Sequence, residues 1–247
     1  MSMPCANVRA GPSAARFHCV ERRLRSIGGL MRRAIRLLPI LLSWSALLHA
    51  AAPVEGRDYT TLNPPQPTTD SGHLMVTEFF SYQCPHCAAF SQPFAAWTRT
   101  LPADVRVERV AVSIGHPTWE PAARAYQALL AMKVLDKVDT PFFQAIHAQG
   151  LRLDTEQQIT AWLATRGIDV QAFAAMYHSF GADAQFRVAE TRARDHRIPS
   201  IPVLVIDGRY MVAIEDNGRF SDQLAKAGEL IVKARQQRIA TGGKKAQ

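Results

Sequence analysis

Cysteine is scarce in this sequence, and its placement argues against several kinds of site. Four cysteines occur among 247 residues: Cys5, Cys19, Cys84 and Cys87. A structural zinc site needs four ligands, and no second pair of cysteines or histidines stands at a matching spacing to join Cys84, Cys87 and His86. A c-type haem attachment needs a histidine directly after a CxxC, where this chain has Ala88. A metal-binding module is therefore the alternative with the least support, and no metal is expected.

Excess positive charge is missing from most of the chain. The formal net charge is +8, but residues 1–50 hold eight arginines and one glutamate, which leaves +1 for residues 51–247. A basic surface for nucleic acid therefore has little support. With 47% hydrophobic and 20% charged residues, the chain has enough apolar sequence for one large or two small folded domains.

Long hydrophobic runs are also lacking. The apolar run Leu37–Leu48 is shorter than the roughly 20 residues that span a bilayer, so a membrane anchor is the weaker interpretation. It follows the basic stretch Met31–Arg36 and precedes Ala50–Ala52, the order found in a secretory signal peptide. We predict a signal peptide over residues 31–52, with residues 1–30 an upstream extension in front of the true start. No cysteine follows the run, which argues against a lipoprotein anchor.

Removal of the extension and the signal peptide, residues 1–52, would leave two cysteines, Cys84 and Cys87. A bond between them would close a very short loop and would stabilise the fold little. The pair is therefore predicted to be reactive rather than structural.

The cysteines stand where a strand gives way to a helix. Leu74–Ser81 is apolar and rich in residues that favour strands, and Ala88–Trp97 has apolar residues at helical spacing. A CxxC at such a junction is the thioredoxin arrangement.

Further core elements are predicted from alternation and turn signals. The predicted elements are a strand over Val105–Val112, a hairpin over Pro202–Ile206 and Arg209–Ala213 turning at Asp207-Gly208, and a helix over Phe220–Arg238.

The long stretch between the predicted strand Val105–Val112 and the predicted hairpin contains several helix start and stop signals and is predicted to be helical. The signals are Pro121 at a helix start, Asp139-Thr140-Pro141 opening a helix that Gly150 ends, a capping box at Asp154–Gln157, and Asp169 opening a segment that Gly181 ends. The fold class is therefore α/β, a thioredoxin-like core with an inserted helical subdomain. We place the first part of the core at residues 53–117, the insert at 118–197, and the second part with the C-terminal helix at 198–247.

The position of the CxxC sets its chemistry. Cys84 stands at the helix start, where unpaired N–H groups favour a thiolate, so it is predicted to be the exposed nucleophile. Cys87, one turn further, is the more buried partner that resolves mixed disulfides. Pro85 suits the first helical turn, and the ring of His86 adds positive charge beside the sulfur.

Three segments together resemble the DsbA family of periplasmic thiol:disulfide oxidants. They are Glu78-Phe79-Phe80-Ser81-Tyr82-Gln83-Cys84-Pro85-His86-Cys87, Ile198-Pro199-Ser200-Ile201-Pro202 and Val205-Ile206-Asp207-Gly208-Arg209-Tyr210. The resemblance covers nearly the whole chain from about Ala52 to Arg238. Low-pKa, strongly oxidising cysteines are characteristic of that family, so the resemblance implies the same direction of shift and is not a separate line of support for it.

The resemblance implies roles for residues around the cysteines. Pro202 matches the family's cis-proline beside the active site, and Ile201 would bind an incoming peptide through its backbone. Glu78 matches a buried acid that relays the proton of Cys87. The family's usual lysine partner for this acid is not visible on the next strand. Tyr82 and Gln83, just before the nucleophile, are candidates for substrate contact.

We therefore expect a periplasmic oxidoreductase that donates its Cys84–Cys87 disulfide to newly exported, cysteine-containing proteins. The family resemblance implies reoxidation by a DsbB-type membrane partner. A monomer without a cofactor is expected. A reductase or isomerase is the nearest alternative, although the short segment 53–73 leaves no room for the dimerisation domain that bacterial isomerases usually carry. The other histidines are expected at the surface: His73, His116, His147, His178 and His196.

Overall fold

A computed structural model describes residues 52–214 and 219–242 of the chain. The predicted extension over residues 1–30, and the predicted signal peptide up to residue 51, lie outside the described residues. Within the described part, no helix combines the length and apolar character that crossing a membrane requires.

A mixed five-stranded sheet forms the centre of the described residues. Its strands, in chain order, are β1 (Thr60–Thr61), β2 (Leu74–Phe80), β3 (Val105–Ala111), β4 (Val203–Ile206) and β5 (Tyr210–Ala213). They lie side by side in the order β1-β5-β4-β2-β3, with β2 parallel to β3 and antiparallel to β4. All seven residues of β2 are buried, because neighbouring strands and helices cover it on both sides.

Seven α-helices accompany this sheet within the described residues. They are α1 (Pro85–Thr98), α2 (Glu120–Ala131), α3 (Leu135–His147), α4 (Glu156–Ala164), α5 (Val170–Tyr177), α6 (Phe180–Asp195) and α7 (Phe220–Gly242), with a short 3₁₀ turn at Pro117–Trp119. Helices α2 to α6 follow one another between β3 and β4. This order confirms a thioredoxin-like core interrupted by a helical insertion.

The residues of β4 divide between two hydrophobic cores. Val203 and Val205 pack in the core shared with the inserted helices. Leu204 and Ile206 pack with α7 and with Phe90 of α1. Because successive strand residues point to opposite faces, one short strand joins both cores. The sheet is thereby held between the insert and the two other helices.

Two predicted helix boundaries lie inside observed helices, and the predicted capping box lies one residue too early, since Thr155 caps α4 with Gln158. The predicted start at Asp139-Thr140-Pro141 lies inside α3, which begins at Leu135 and buries Phe142 on its apolar face. Packing of that face outweighs the cost of an internal proline. The predicted stop at Gly181 lies inside α6, because the Ser179 side chain caps that helix two residues earlier.

The hairpin between β4 and β5 forms at the predicted turn. Asp207 and Gly208 have φ of 54° and 63°, the left-handed conformation that a two-residue turn of this type requires. Gly208 also lies against the segment before β2. A Cβ atom added to Gly208 would come within 2.0 Å of the Gln66 carbonyl oxygen.

Gly208→Ala is therefore expected to destabilise the protein more than Gly150→Ala. Both glycines have positive φ, +63° and +67°, but a Cβ atom at Gly150 would meet nothing within 4 Å. The backbone cost alone is roughly 1–2 kcal/mol, and displacing Gln66 should add about 1–3 kcal/mol. Urea unfolding of the two variants measures the difference, and equal losses would contradict the close contact with Gln66.

Candidate active site

Cys84 lies at the start of α1 as its N-cap residue. Its Sγ accepts a hydrogen bond from the Cys87 backbone N–H at 3.4 Å, and Pro85 occupies the first helical turn. Both cysteines are free thiols. Cys84 is only 4% exposed and Cys87 is fully buried. Cys84 is therefore less exposed than predicted, although the order of burial is as predicted, and exposed Pro85 and His86 form the adjoining surface.

The pKa values of the two thiols are shifted in opposite directions. The pKa of Cys84 falls to about 6, chiefly through a hydrogen bond from the Cys87 side chain, and further through N–H groups of α1 and the charge of His86. The pKa of Cys87 is raised, first by burial and then by its hydrogen bond to the Cys84 sulfur and the negative charge there. At neutral pH, Cys84 is therefore a thiolate and Cys87 keeps its proton.

The loop before β4 lies against the Cys84 sulfur. The Ile201–Pro202 peptide bond is cis, as predicted. The Ile201 carbonyl oxygen is 3.6 Å from Cys84 Sγ. This contact follows from the sheet, because β4 runs antiparallel to β2 with Val203 opposite Phe79. The start of β4 and the end of β2 therefore meet at one edge, where the CxxC begins.

Glu78 has a cationic partner that the sequence left unassigned. Glu78 is fully buried on β2 and pairs in register with Arg109 of β3. Arg109 Nε donates to Glu78 Oε2 at 2.6 Å. Among the described residues, Glu78 Oε1 has no hydrogen-bond partner. Burial raises the pKa of Glu78, and the charge of Arg109 offsets only part of that effect.

Tyr82 does not lie where a substrate could touch its side chain. It is 1% exposed, its ring stacks on Phe142 with centroids 4.3 Å apart, and its hydroxyl donates to Asp139 Oδ1 at 2.6 Å. Its carbonyl oxygen accepts from His147 Nε2 at 2.7 Å. The predicted substrate contact therefore does not fit the side chain of Tyr82, which instead joins the insert to the core.

Gln83 remains a candidate for substrate contact, because it is half-buried directly before Cys84. Its side-chain amide donates to the Leu153 carbonyl oxygen at 2.8 Å. Leu153 belongs to the segment between α3 and α4. The insert therefore holds Gln83 beside Cys84 through Leu153, a residue that belongs to no recognisable sequence motif.

His196 also lies elsewhere than predicted. It is 3% exposed, its Nδ1 donates to the Arg192 carbonyl oxygen at 2.7 Å, and its ring lies 5.2 Å from that of Phe79. Burial lowers its pKa. It is a core histidine rather than a surface one, because the chain after α6 turns inward toward β4.

Thiol–disulfide exchange moves electrons between sulfur atoms, so a pair of cysteines can act as the redox group. Over residues 52–214 and 219–242, no three side chains of the types Cys, His, Asp and Glu gather as they would around a metal ion.

A low-pKa thiolate at a helix start, a protonated partner one turn on and a cis-proline beside them define a thiol:disulfide oxidoreductase of the thioredoxin fold. The family model of the DSBA-like thioredoxin domain matches residues 75–226. The chain belongs to this family.

Relatives and solved structures agree with that assignment. The chain is 31% identical over 203 residues to the thiol:disulfide interchange protein DsbA of Pseudomonas aeruginosa, covering 81% of this chain and 96% of that protein. It is 36% identical over 180 residues to the DsbA of Azotobacter vinelandii, covering 73% and 84%. The crystal structure of Pseudomonas aeruginosa DsbA superimposes with a TM-score of 0.71 at 31% identity, covering 75% of this chain and 96% of that one.

Proposed function

We propose that this enzyme donates its Cys84–Cys87 disulfide to newly exported proteins in the periplasm. The observation that carries this proposal is the position of Cys84 Sγ at the start of α1, where it accepts the Cys87 backbone N–H. In this position the pKa of Cys84 falls to about 6 from an ordinary 9.0. Each pKa unit is worth about 1.4 kcal/mol, or about 30 mV for a two-electron couple. Three units therefore make the disulfide more oxidising by about 90 mV, because they stabilise the reduced enzyme.

The exchange proceeds in two steps. A substrate thiolate attacks Cys84 Sγ, a new S–S bond forms, and the Cys84–Cys87 bond breaks with its electron pair on Cys87 Sγ, which takes a proton. A second substrate thiolate then attacks the substrate sulfur of the mixed disulfide, and Cys84 leaves as a thiolate. Two substrate thiols are oxidised and one enzyme disulfide is reduced.

The surrounding residues have distinct parts in this scheme. His86 and the start of α1, where Pro85 sits, stabilise the Cys84 thiolate. The Ile201 backbone, beside Pro202, and the Gln83 side chain would contact the substrate. Glu78 supplies the proton that Cys87 takes when the enzyme disulfide opens.

The cellular setting belongs to the same proposal. The signal peptide predicted over residues 31–52 would direct the protein to the periplasm, with residues 53–117 and 198–247 forming the core around the insert at 118–197. The enzyme would act there as a monomer, and a DsbB-type membrane protein would reoxidise it. N-terminal sequencing of the exported protein should find no residue before position 31.

The reduction potential in glutathione buffers tests the direction of transfer. We expect a value far above the reducing potential of thioredoxin, about −270 mV. A value at or below it would overturn the donor assignment. Refolding of a scrambled, multiply bridged substrate is the companion measurement. An oxidant should restore little activity, whereas efficient recovery would favour an isomerase.

A further inference from the structure

Arg109 holds two carboxylates at once. Its Nε donates to Glu78 Oε2 at 2.6 Å, and its Nη1 donates to Asp139 Oδ2 at 2.7 Å. The guanidinium fork has five N–H donors in fixed directions, so one arginine can serve both groups. Its carbon Cζ lies 4.0 Å from the centre of the Phe80 ring, which fixes its plane. Asp139 belongs to α3 of the insert, so this ion cluster joins the insert to the sheet.

One positive charge between two acids cannot balance both. A buried cluster of this kind favours neutrality, which is reached when one acid is ionised and the other keeps its proton. The two acids are not equivalent. Asp139 is 24% exposed and both of its oxygens accept hydrogen bonds, from Arg109 and from Tyr82. Glu78 is fully buried and its Oε1 lacks a partner among the described residues.

We propose that Asp139 is a positioning residue for the exchange reaction: as the ionised partner of Arg109, it leaves Glu78 as the neutral acid that protonates Cys87. This inference deepens the proposed function and rests on it. When the Cys84–Cys87 bond breaks, the electron pair on Cys87 Sγ takes the proton of Glu78. The carboxylate that remains is stabilised by Arg109 until solvent returns a proton.

The other titratable groups around Glu78 leave this assignment in place. Besides Arg109 and Asp139, they are Cys87 of α1, Tyr82 before α1 and Tyr126 of α2. Burial raises the pKa of both tyrosines, so they stay neutral across the working range. The negative charge of Asp139 raises the pKa of Glu78, in the direction that the geometry requires.

Asp139→Asn tests the proposal with the full-length protein. The amide has the shape of the carboxylate and keeps an oxygen for Arg109, but it removes the negative charge. The charge of Arg109 then stabilises the Glu78 carboxylate alone. Glu78 should therefore lose its proton about one pH unit lower, a tenfold change in its acid dissociation constant. Infrared spectra of the oxidised protein across pH report the carbonyl band of the protonated acid, and Glu78→Gln identifies that band.

Asp136→Asn is the matched control. Asp136 is an exposed acid in the first turn of the same helix, so its replacement changes the net charge equally without touching the cluster. It should leave the titration of Glu78 unchanged. Asp139→Ser, which also removes the charge, gives the same comparison if the amide variant does not fold.

The rate of reduction by dithiothreitol is the functional readout. Because dithiothreitol attacks as a thiolate, the rate is divided by the thiolate concentration at each pH. In Asp139→Asn this corrected rate should begin to fall about one pH unit lower than in the parent protein. In the Glu78→Gln background the same substitution should have no such effect. Unchanged titration of Glu78, or equal shifts in Asp136→Asn, would overturn the proposal. The infrared result does not depend on the direction of electron transfer, so a failed donor assignment and a failed role for Asp139 are distinguishable.

Discussion

Replacing Cys84 with serine is expected to abolish oxidation of substrate thiols, by more than roughly a thousandfold. The serine hydroxyl cannot form a disulfide, and Cys87 cannot take over because it is fully buried with a raised pKa. Oxidative refolding of a reduced, two-cysteine substrate measures the loss. Ordinary activity of this variant would show that Cys84 is not the attacked sulfur.

Cys87→Ser is the matched comparison, since it removes the other sulfur of the same pair. Its Cys84 remains at the start of α1 and should form mixed disulfides with oxidised substrate that no internal thiol can resolve. Mass spectrometry should find the substrate bound to Cys84. If Cys84→Ser traps substrate equally well, the assignment of nucleophile and resolving residue is reversed.

The reduced protein should become more stable as the pH rises from about 6 to about 9, by up to about 4 kcal/mol relative to Cys84→Ser. The pKa of Cys84 is about 6 in the folded protein and 9.0 for an ordinary thiol. The unfolded chain therefore binds more protons between these values, so folding is favoured by raising the pH. The gain is complete above the unfolded pKa and is lost as the pH falls through about 6.

Urea unfolding of reduced and oxidised protein at several pH values measures this effect. The oxidised protein has no Cys84 thiol, so its stability should lack this dependence. The absorbance of the thiolate gives the pKa independently. A reduced protein whose stability does not change between about pH 6 and about pH 9 would contradict a stabilised thiolate and, with it, the proposed direction of electron transfer.

Local sequence was sufficient for the elements that carry the cysteines. The apolar strand before Cys84, Pro85 in the first turn and the apolar spacing of α1 act over a few residues, and the structure has all of them where they were predicted. Asp207-Gly208 likewise determines its own turn through two positive φ angles. Such features depend on backbone preference, which the neighbours in sequence set.

Helix boundaries and burial of polar residues were harder to predict, because distant contacts decide them. Pro141 looked like a helix start until the packing of Phe142 carried α3 through it. Tyr82 looked like a surface residue beside the nucleophile, yet Asp139, 57 residues away, binds its hydroxyl in the core. Arg109 was visible on the next strand, but only the register of β2 and β3 pairs it with Glu78.

The sequence by itself determined that Cys84 and Cys87 stand at a strand-to-helix junction, since spacing and helix geometry place one sulfur at the N-terminal end of the helix. Only the tertiary structure decided which groups surround Glu78, the acid that we propose protonates Cys87. This buried acid, an arginine from the adjacent strand and an aspartate from the insert form one ion cluster. Charges interact through space, and chain folding alone brings these three within hydrogen-bonding distance.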